Sequence, residues 1–367
     1  MAGSAAPPPA ARSLACSGCG AMLEFVPGAA ALVCSGCGTR NEPPAADAVQ
    51  REAVFAEHDY LQALQRLAAG DPALEARVVD CPSCGARSPL AGHVTADRCA
   101  FCTAPLLPDS AHTQRLLQPQ ALIPFALDRG AAQQVFQRWV AGRWFAPNAL
   151  ARTVRQADGV RGVYTPWWCF DARAFTQYQG ERGVNRQVRE SGRSGQADTV
   201  RTVTDWSPAS GSLTLRFDDA LVVASPSIPA HLARVLGDWK LEALRPSAPD
   251  WLAGFTVESY RVGLEEGFAQ ARAGFEPRID AAIRRDIGGD AQRIHSRQTR
   301  FDEVRFKHLL LPVWIGSYRF GERVFQVVVN GQTGEVEGDR PYSVWKIAAA
   351  VATVCVVAAL LWGLQGS

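Results

Sequence analysis

The sequence predicts an α+β fold arranged in series: two small four-cysteine zinc ribbons, a mixed α+β middle domain with antiparallel sheet, and one C-terminal transmembrane helix. Three observations carry this. Eight of the ten cysteines fall into four Cys-x-x-Cys pairs, and eighteen uncharged residues run from Ile347 to Leu364. Between them, hydrophobic residues follow helical spacing in some stretches and strict alternation in others. The boundaries that follow are 1–12 disordered, 13–40 first ribbon, 41–77 linker with helix, 78–108 second ribbon, 118–341 α+β domain and 345–364 span.

The four pairs form two identical frames. Cys16, Cys19, Cys34 and Cys37 make the first, and Cys81, Cys84, Cys99 and Cys102 the second, with fourteen residues between the pairs of each. A Cys-x-x-Cys turn presents two sulfurs to one ion, and a second turn completes a tetrahedron, so each frame is expected to hold one structural Zn²⁺, two per chain. All pairs but the last carry a nearby glycine, which tolerates the φ > 0 geometry such turns use. Disulfides suit secreted chains, but residues 1–12 are Ala and Pro with no apolar core of a signal peptide. Ser13-Leu14-Ala15-Cys16 has the look of a lipoprotein cleavage site but lacks that core, and Cys16 is needed in the first frame. Thioredoxin-like chemistry needs a single pair in a βαβ unit. His93 lies within the second ribbon, where four cysteines already fill the coordination shell.

Residues 1–12 and 40–48 are rich in Ala and Pro and read as disordered. Val49–Ala69 reads as a helix joining the ribbons. Asp128 is placed to cap a helix running to about Trp144, with Val135, Phe136, Trp139, Val140 and Trp144 on a core face. Extended segments are expected over 161–180, 184–206 and 213–223. Helices follow near 229–241 and from Pro277, as a first-turn proline, to about Ile294. The last third returns to strands over 308–320 and 323–329, with Asn330–Gly334 as a turn into 335–338. The Pro-Trp strand starts at Tyr164–Trp168 and Leu311–Trp314 echo one another, a hint of a duplicated sheet.

The run IAAAVATVCVVAALLWGL spans roughly 27 Å as a helix, close to a bilayer's hydrocarbon thickness. Tyr342, Trp345 and Trp362 occupy interfacial places, and Arg340 and Lys346 flank the amino-terminal side. The expectation is a tail-anchored, single-pass protein of the cytoplasmic membrane with its bulk in the reducing cytoplasm, and the lipid bilayer as a partner through 345–364.

Several strings resemble a known family: Cys81-Pro-Ser-Cys-Gly-Ala, Ile123-Pro-Phe, Arg143-Trp-Phe-Ala-Pro-Asn, Gly162-Val-Tyr-Thr-Pro-Trp-Trp, Leu311-Pro-Val-Trp-Ile, Val329-Asn-Gly-Gln-Thr-Gly-Glu-Val and Arg340-Pro-Tyr-Ser. Over about residues 78–346 they are similar to the bacterial TFIIB-type zinc-ribbon membrane proteins, many labelled primosomal protein N′ or PriA-like helicase. Some relatives are similar to components encoded beside PspA-like and SPFH proteins. The resemblance implies a scaffold in membrane stress or membrane organisation, with such proteins as partners. The first ribbon lies outside these strings.

A helicase needs a phosphate loop ending Gly-Lys-Ser/Thr, and the three lysines, Lys240, Lys307 and Lys346, are not in that setting. Residues 1–118 hold 8 arginines and no lysine against 11 acidic residues. Four thiolates around each divalent ion add negative charge, so nucleic acid is disfavoured as a partner. Residues 119–367 hold 30 basic and 25 acidic residues, a mixed surface. His58, His93, His112, His231, His295 and His308 are scattered. Asp218-Asp219 and Glu265-Glu266 read as solvated pairs, and Cys169 and Cys355 as apolar thiols. No catalytic residues are assigned. The expectation is a non-enzymatic protein whose ribbons are protein-interaction modules. The alternatives are a nucleic-acid adaptor without helicase activity and an enzyme using the middle domain.

Overall fold

Short alternating segments beside the cysteine turns build two small sheets in the computed structural model. It describes residues 15–365 except 22, 29–30, 42–47, 90–98, 100, 102–103, 107–109, 148–158, 191–198, 237 and 321–322. The first sheet is an antiparallel meander of β1 (Leu23–Val26), β2 (Ala31–Cys34) and β3 (Arg40–Asn41). The linker holds α1 (Ala48–Phe55), β4 (His58–Asp59) and α2 (Tyr60–Ala69), so the single expected helix is split. The physical reason is Asp59, whose carboxylate accepts from the Gln62 amide at 2.8 Å and starts a new helix. Gly70, at φ 75°, closes it. The second sheet has the order β6-β5-β7, from β5 (Glu75–Asp80), β6 (Arg87–Pro89) and β7 (His112–Arg115). The expected disordered segment 1–12 lies outside the described residues.

The middle region begins with β8 (Ala121–Leu122) and α3 (Arg129–Ala141), which Asp128 caps as expected by accepting from the Ala131 amide at 2.7 Å. Then come β9 (Val160–Glu190) and β10 (Thr199–Val223), α4 (Ala230–Val235), β11 (Arg245–Pro246), α5 (Pro249–Leu252) and β12 (Thr256–Val257). The helix α6 (Leu264–Ile287), β13 (Ala291–Phe320), β14 (Arg323–Asn330), β15 (Val336–Gly338) and α7 (Val344–Gln365) complete the chain.

Among the described residues strand outweighs helix, 44% to 28%, which corrects the mixed α+β domain expected towards a large β-rich one. The excess lies in three strands of 31, 25 and 30 residues, each long enough to reach on the order of 80–100 Å. Strands expected to stop near Gly180 and to begin again at Leu213 instead run on. Pro277 lies inside α6 rather than at a helix start. The face Phe268, Ala271, Phe275, Ile279, Ile283 and Ile287 recurs every three or four residues and buries against the sheet. Pro277 points outward, where the cost of its missing amide is outweighed by that burial.

The sheet order β10-β9-β13-β14-β15 joins two hairpins through their first strands. β8 runs parallel to β13, with Ala121 opposite Leu309, and β12 runs parallel to β9, with Thr256 opposite Val163. Each half therefore reads strand, helix, long strand, return strand, and lends its first strand to the other half. Pro166 faces Leu310 and Pro312 faces Tyr164, equivalent places about a pseudo-two-fold axis. The helices differ, 13 residues in α3 against 24 in α6.

α6 offers a matched pair of glycines. A Cβ on Gly267 would stand 2.5 Å from Trp168 Cδ1, whereas one on Gly274 meets nothing within 4 Å. Gly267→Ala is expected to destabilise by about 1–3 kcal/mol through overpacking. Gly274→Ala is expected to stabilise by about 0.5–1 kcal/mol by restricting the unfolded chain. Urea unfolding of the two variants checks the signs.

The expected membrane span is not supported. Residues 344–365 do form a helix, but among the described residues no helix is long and apolar enough to cross a membrane. Lys346, expected as a flanking charge, instead donates to the carbonyls of Trp144 (3.0 Å) and Ala146 (2.9 Å). The tail anchor, the bilayer as a partner through 345–364 and the cytoplasmic-membrane localisation fall with the span.

Candidate metal centres

Each cysteine turn folds the same way. The amides of Cys16, Cys34, Cys81 and Cys99 donate to the carbonyls of Ala21, Thr39, Ala86 and Ala104 at 2.7–3.0 Å. Gly20, Gly38 and Gly85 donate back to Cys16, Cys34 and Cys81 at 2.9 Å, and all three sit at φ 74°. That left-handed geometry is why glycine follows these pairs.

The turns bring the sulfurs of Cys16, Cys19, Cys34 and Cys37 within 4.8 Å of one another, and likewise those of Cys81, Cys84 and Cys99. The eighth expected ligand, Cys102, and His93 lie outside the described residues. Cys16 and Cys37 are 3.5 Å apart, Cys19 and Cys34 3.4 Å, and Cys84 and Cys99 3.5 Å. A disulfide needs about 2.05 Å. Tetrahedral sulfurs at about 2.3 Å from an ion lie about 3.8 Å apart, so the donor sets fit a metal ion.

Electrostatics in the first cluster favour thiolate on two of its four sulfurs. The amide of Gly18, 3.3 Å from Cys16 Sγ, helps hold that thiol below its ordinary range. The Thr39 hydroxyl, 3.0 Å from Cys37 Sγ, and the Thr39 amide bring Cys37 down to about 6. The Ala21 amide works the same way on Cys19, but the sulfurs of Cys34 and Cys37 overcome it and push Cys19 up to about 12.

The two centres differ in setting. In the first, Cys16 and Cys34 are buried and Cys19 and Cys37 exposed. This ribbon packs on the body through Cys16, Leu23, Phe25, Leu32 and Cys34, which share a core with Phe125, Tyr164 and Trp314; the Phe25 ring lies 5.1 Å from Trp251 and its amide donates to Ala253 at 3.0 Å. In the second, Cys81 and Cys99 are buried in one core with Val79, Ala86, Phe101, Val163, Trp167 and Ile228. The Phe101 carbonyl accepts from Ser317 Oγ at 2.8 Å, the Arg87 carbonyl from the Ser259 amide at 2.8 Å, and Arg87 pairs with Asp80 at 2.6 Å.

Sequence reasoning passed over two groups of ionisable residues. Glu258 is 2% exposed and accepts from Ser225 Oγ and Ser227 Oγ at 2.6 and 2.5 Å, while burial pushes it up to about 8. Cys169, read as an apolar thiol, is buried as expected and donates to Asp219 Oδ1 at 3.2 Å, and burial raises it strongly. Asp219, read as solvated, also accepts from Lys307 at 2.8 Å. The signal that would have found this group is the strand register, which sets Lys307 opposite Cys169.

No family model matches the chain, and no solved structure matches it. Among curated proteins it is similar to the uncharacterised protein YdjG of Bacillus subtilis (strain 168), with 28% identity over 234 residues, 64% of this chain and 67% of that one.

Proposed function

We propose that the chain is a non-enzymatic scaffold or recruiter in which two ribbons, each folded around a structural zinc ion, serve as protein-interaction modules. The observation that carries this reading is a contrast in exposure: both ribbons pack into the body's core, but the first holds Cys19 and Cys37 at the surface, whereas the described cysteines of the second are buried or half-buried. The first ribbon is the presenting module and the second the rivet that fixes the pair to the long sheet. Four thiolates in a tetrahedron select zinc or an iron–sulfur centre over hard cations, and a single-ion spacing favours zinc. Zinc here folds segments too small to build a core rather than activating water. Through the family resemblance, the partner is a PspA-like or SPFH-type protein.

Co-purification from native extracts tests this, comparing the intact chain with Cys16→Ser/Cys19→Ser and quantifying PspA-like and SPFH-type proteins. Their presence with the intact chain and loss with the variant is the expected result. Nuclease-sensitive recovery of replication or transcription proteins in their place would overturn it in favour of a nucleic-acid adaptor.

A further inference from the structure

The last helix, α7, is fastened to the body at its foot. The Ser343 amide donates to the Phe145 carbonyl at 2.8 Å, and Lys346 Nζ reaches the carbonyls of Trp144 and Ala146. Beyond that foot every residue from 347 to 358 is exposed except the half-buried Ala350, so the helix stands clear of the body.

Its apolar surface is not uniform. Val344, Ile347, Val351, Val354 and Ala358 recur at alternating intervals of three and four, the a and d places of a heptad, and four of the five are β-branched. At 3.6 residues per turn they form one stripe. The two polar side chains of residues 344–358, Lys346 and Thr353, are seven residues apart and lie off that stripe. Both are already engaged: Lys346 is turned back onto the body, and the Thr353 hydroxyl donates to the Ala349 carbonyl at 2.9 Å.

The chemistry of the stripe selects what covers it. It carries no charge and so offers no complement to an acidic or basic partner, whereas an identical stripe meets it without conflict about a two-fold axis. Val344, Val351 and Val354, at 77, 57 and 68% exposed, together with Ile347 and the flanking Trp362 at 83%, uncover on the order of 500 Å² per chain. Two copies joined there would bury about 1,000 Å², the size at which a specific interface begins.

We propose that α7 packs along this stripe against α7 of a second copy of the chain, making a homodimer joined at its carboxy-terminal helices. The β-branched side chains at Val344 and Val351, both a places, favour a two-stranded coil. The dimer presents each ribbon twice, which raises avidity for a repetitive partner without any new contact. The pairing does not depend on who that partner is.

Sedimentation velocity of the full chain at micromolar concentrations tests this, with two variants that add the same charge to different sides of the helix. Val351→Glu/Val354→Glu places carboxylates in the stripe, and Thr353→Glu/Val356→Glu places them away from it. The intact chain should sediment as a dimer. The stripe variant should be monomeric, its dissociation constant raised at least about a hundredfold by unpaired charge in the seam, while the other variant stays dimeric. Because the helix stands clear of the body, calorimetric unfolding of the body should be the same in both variants. A monomeric intact chain, association lost equally in both variants, or a dimer that survives both would overturn the proposal.

Discussion

Cys81→Ser is expected to cost the chain the metal of its second ribbon and, with it, the cooperative melting of the body. Apparent binding free energies of structural zinc in small peptides are about 10–16 kcal/mol, comparable with the ~5–15 kcal/mol that holds a whole domain together. Cys81 is 3% exposed and shares its core with Phe101, Leu106, Trp167 and Leu309, so an unfolded ribbon uncovers the sheet beneath it. Cys37→Ser removes a ligand of the same kind from the first ribbon, but that sulfur is exposed and stands outside the core that Cys16, Leu23, Phe25, Leu32 and Cys34 share with the body. Its metal should be lost with a much smaller drop in melting temperature. Metal content by atomic absorption and calorimetric unfolding of both variants decide the matter. Equal melting losses would mean that the second ribbon is not a structural part of the body.

The ribbons were legible because metal ligation writes itself in short-range spacing, and the knuckle glycines repeat that signal. Asp128 was legible for the same reason, as a cap acts within three residues. Strand length was not. Along β9 the buried face reads Ala172, Ala174, Thr176, Tyr178, too small and mixed to mark a core strand until α6 is seen to cover it. Gly180 looked like an end, yet a Cβ there would run into the Arg293 carbonyl, so it marks a close approach of neighbouring strands. The duplication showed only as an echo of two Pro-Trp strand starts, because the halves differ by almost a factor of two in helix length and exchange their first strands. Cys169, Asp219 and Lys307 come together only through register and a bulge, neither of which leaves a local pattern. At the carboxy end, composition alone argued for a span. The described helix does not meet that standard, and its nearest charge, Lys346, is engaged in the body.

Acid sensitivity should trace in part to one buried histidine. His308 is 4% exposed, lies 4.7 Å from the Trp168 ring, and sets Nδ1 2.8 Å from the Leu117 carbonyl while Nε2 has no partner. Burial lowers its pKa to about 4, although the Leu117 carbonyl favours the charged form. An unfolded chain binds a proton there near 6.5, so between 6.5 and 4 the unfolded state holds more protons than the folded one. The contribution of His308 is therefore fully present above about pH 6.5 and is lost as the pH falls through about 4, an effect on the order of 3 kcal/mol. His308→Leu deletes that titration but leaves the Leu117 carbonyl without its donor, which costs about 1–3 kcal/mol at every pH. The variant should accordingly be less stable than the parent at pH 7.5 and should draw level with it or overtake it near pH 4. Urea midpoints measured across that range check this. Parallel curves would show that the imidazole is not buried neutral against Trp168, and the packing assigned to this part of the core would be wrong.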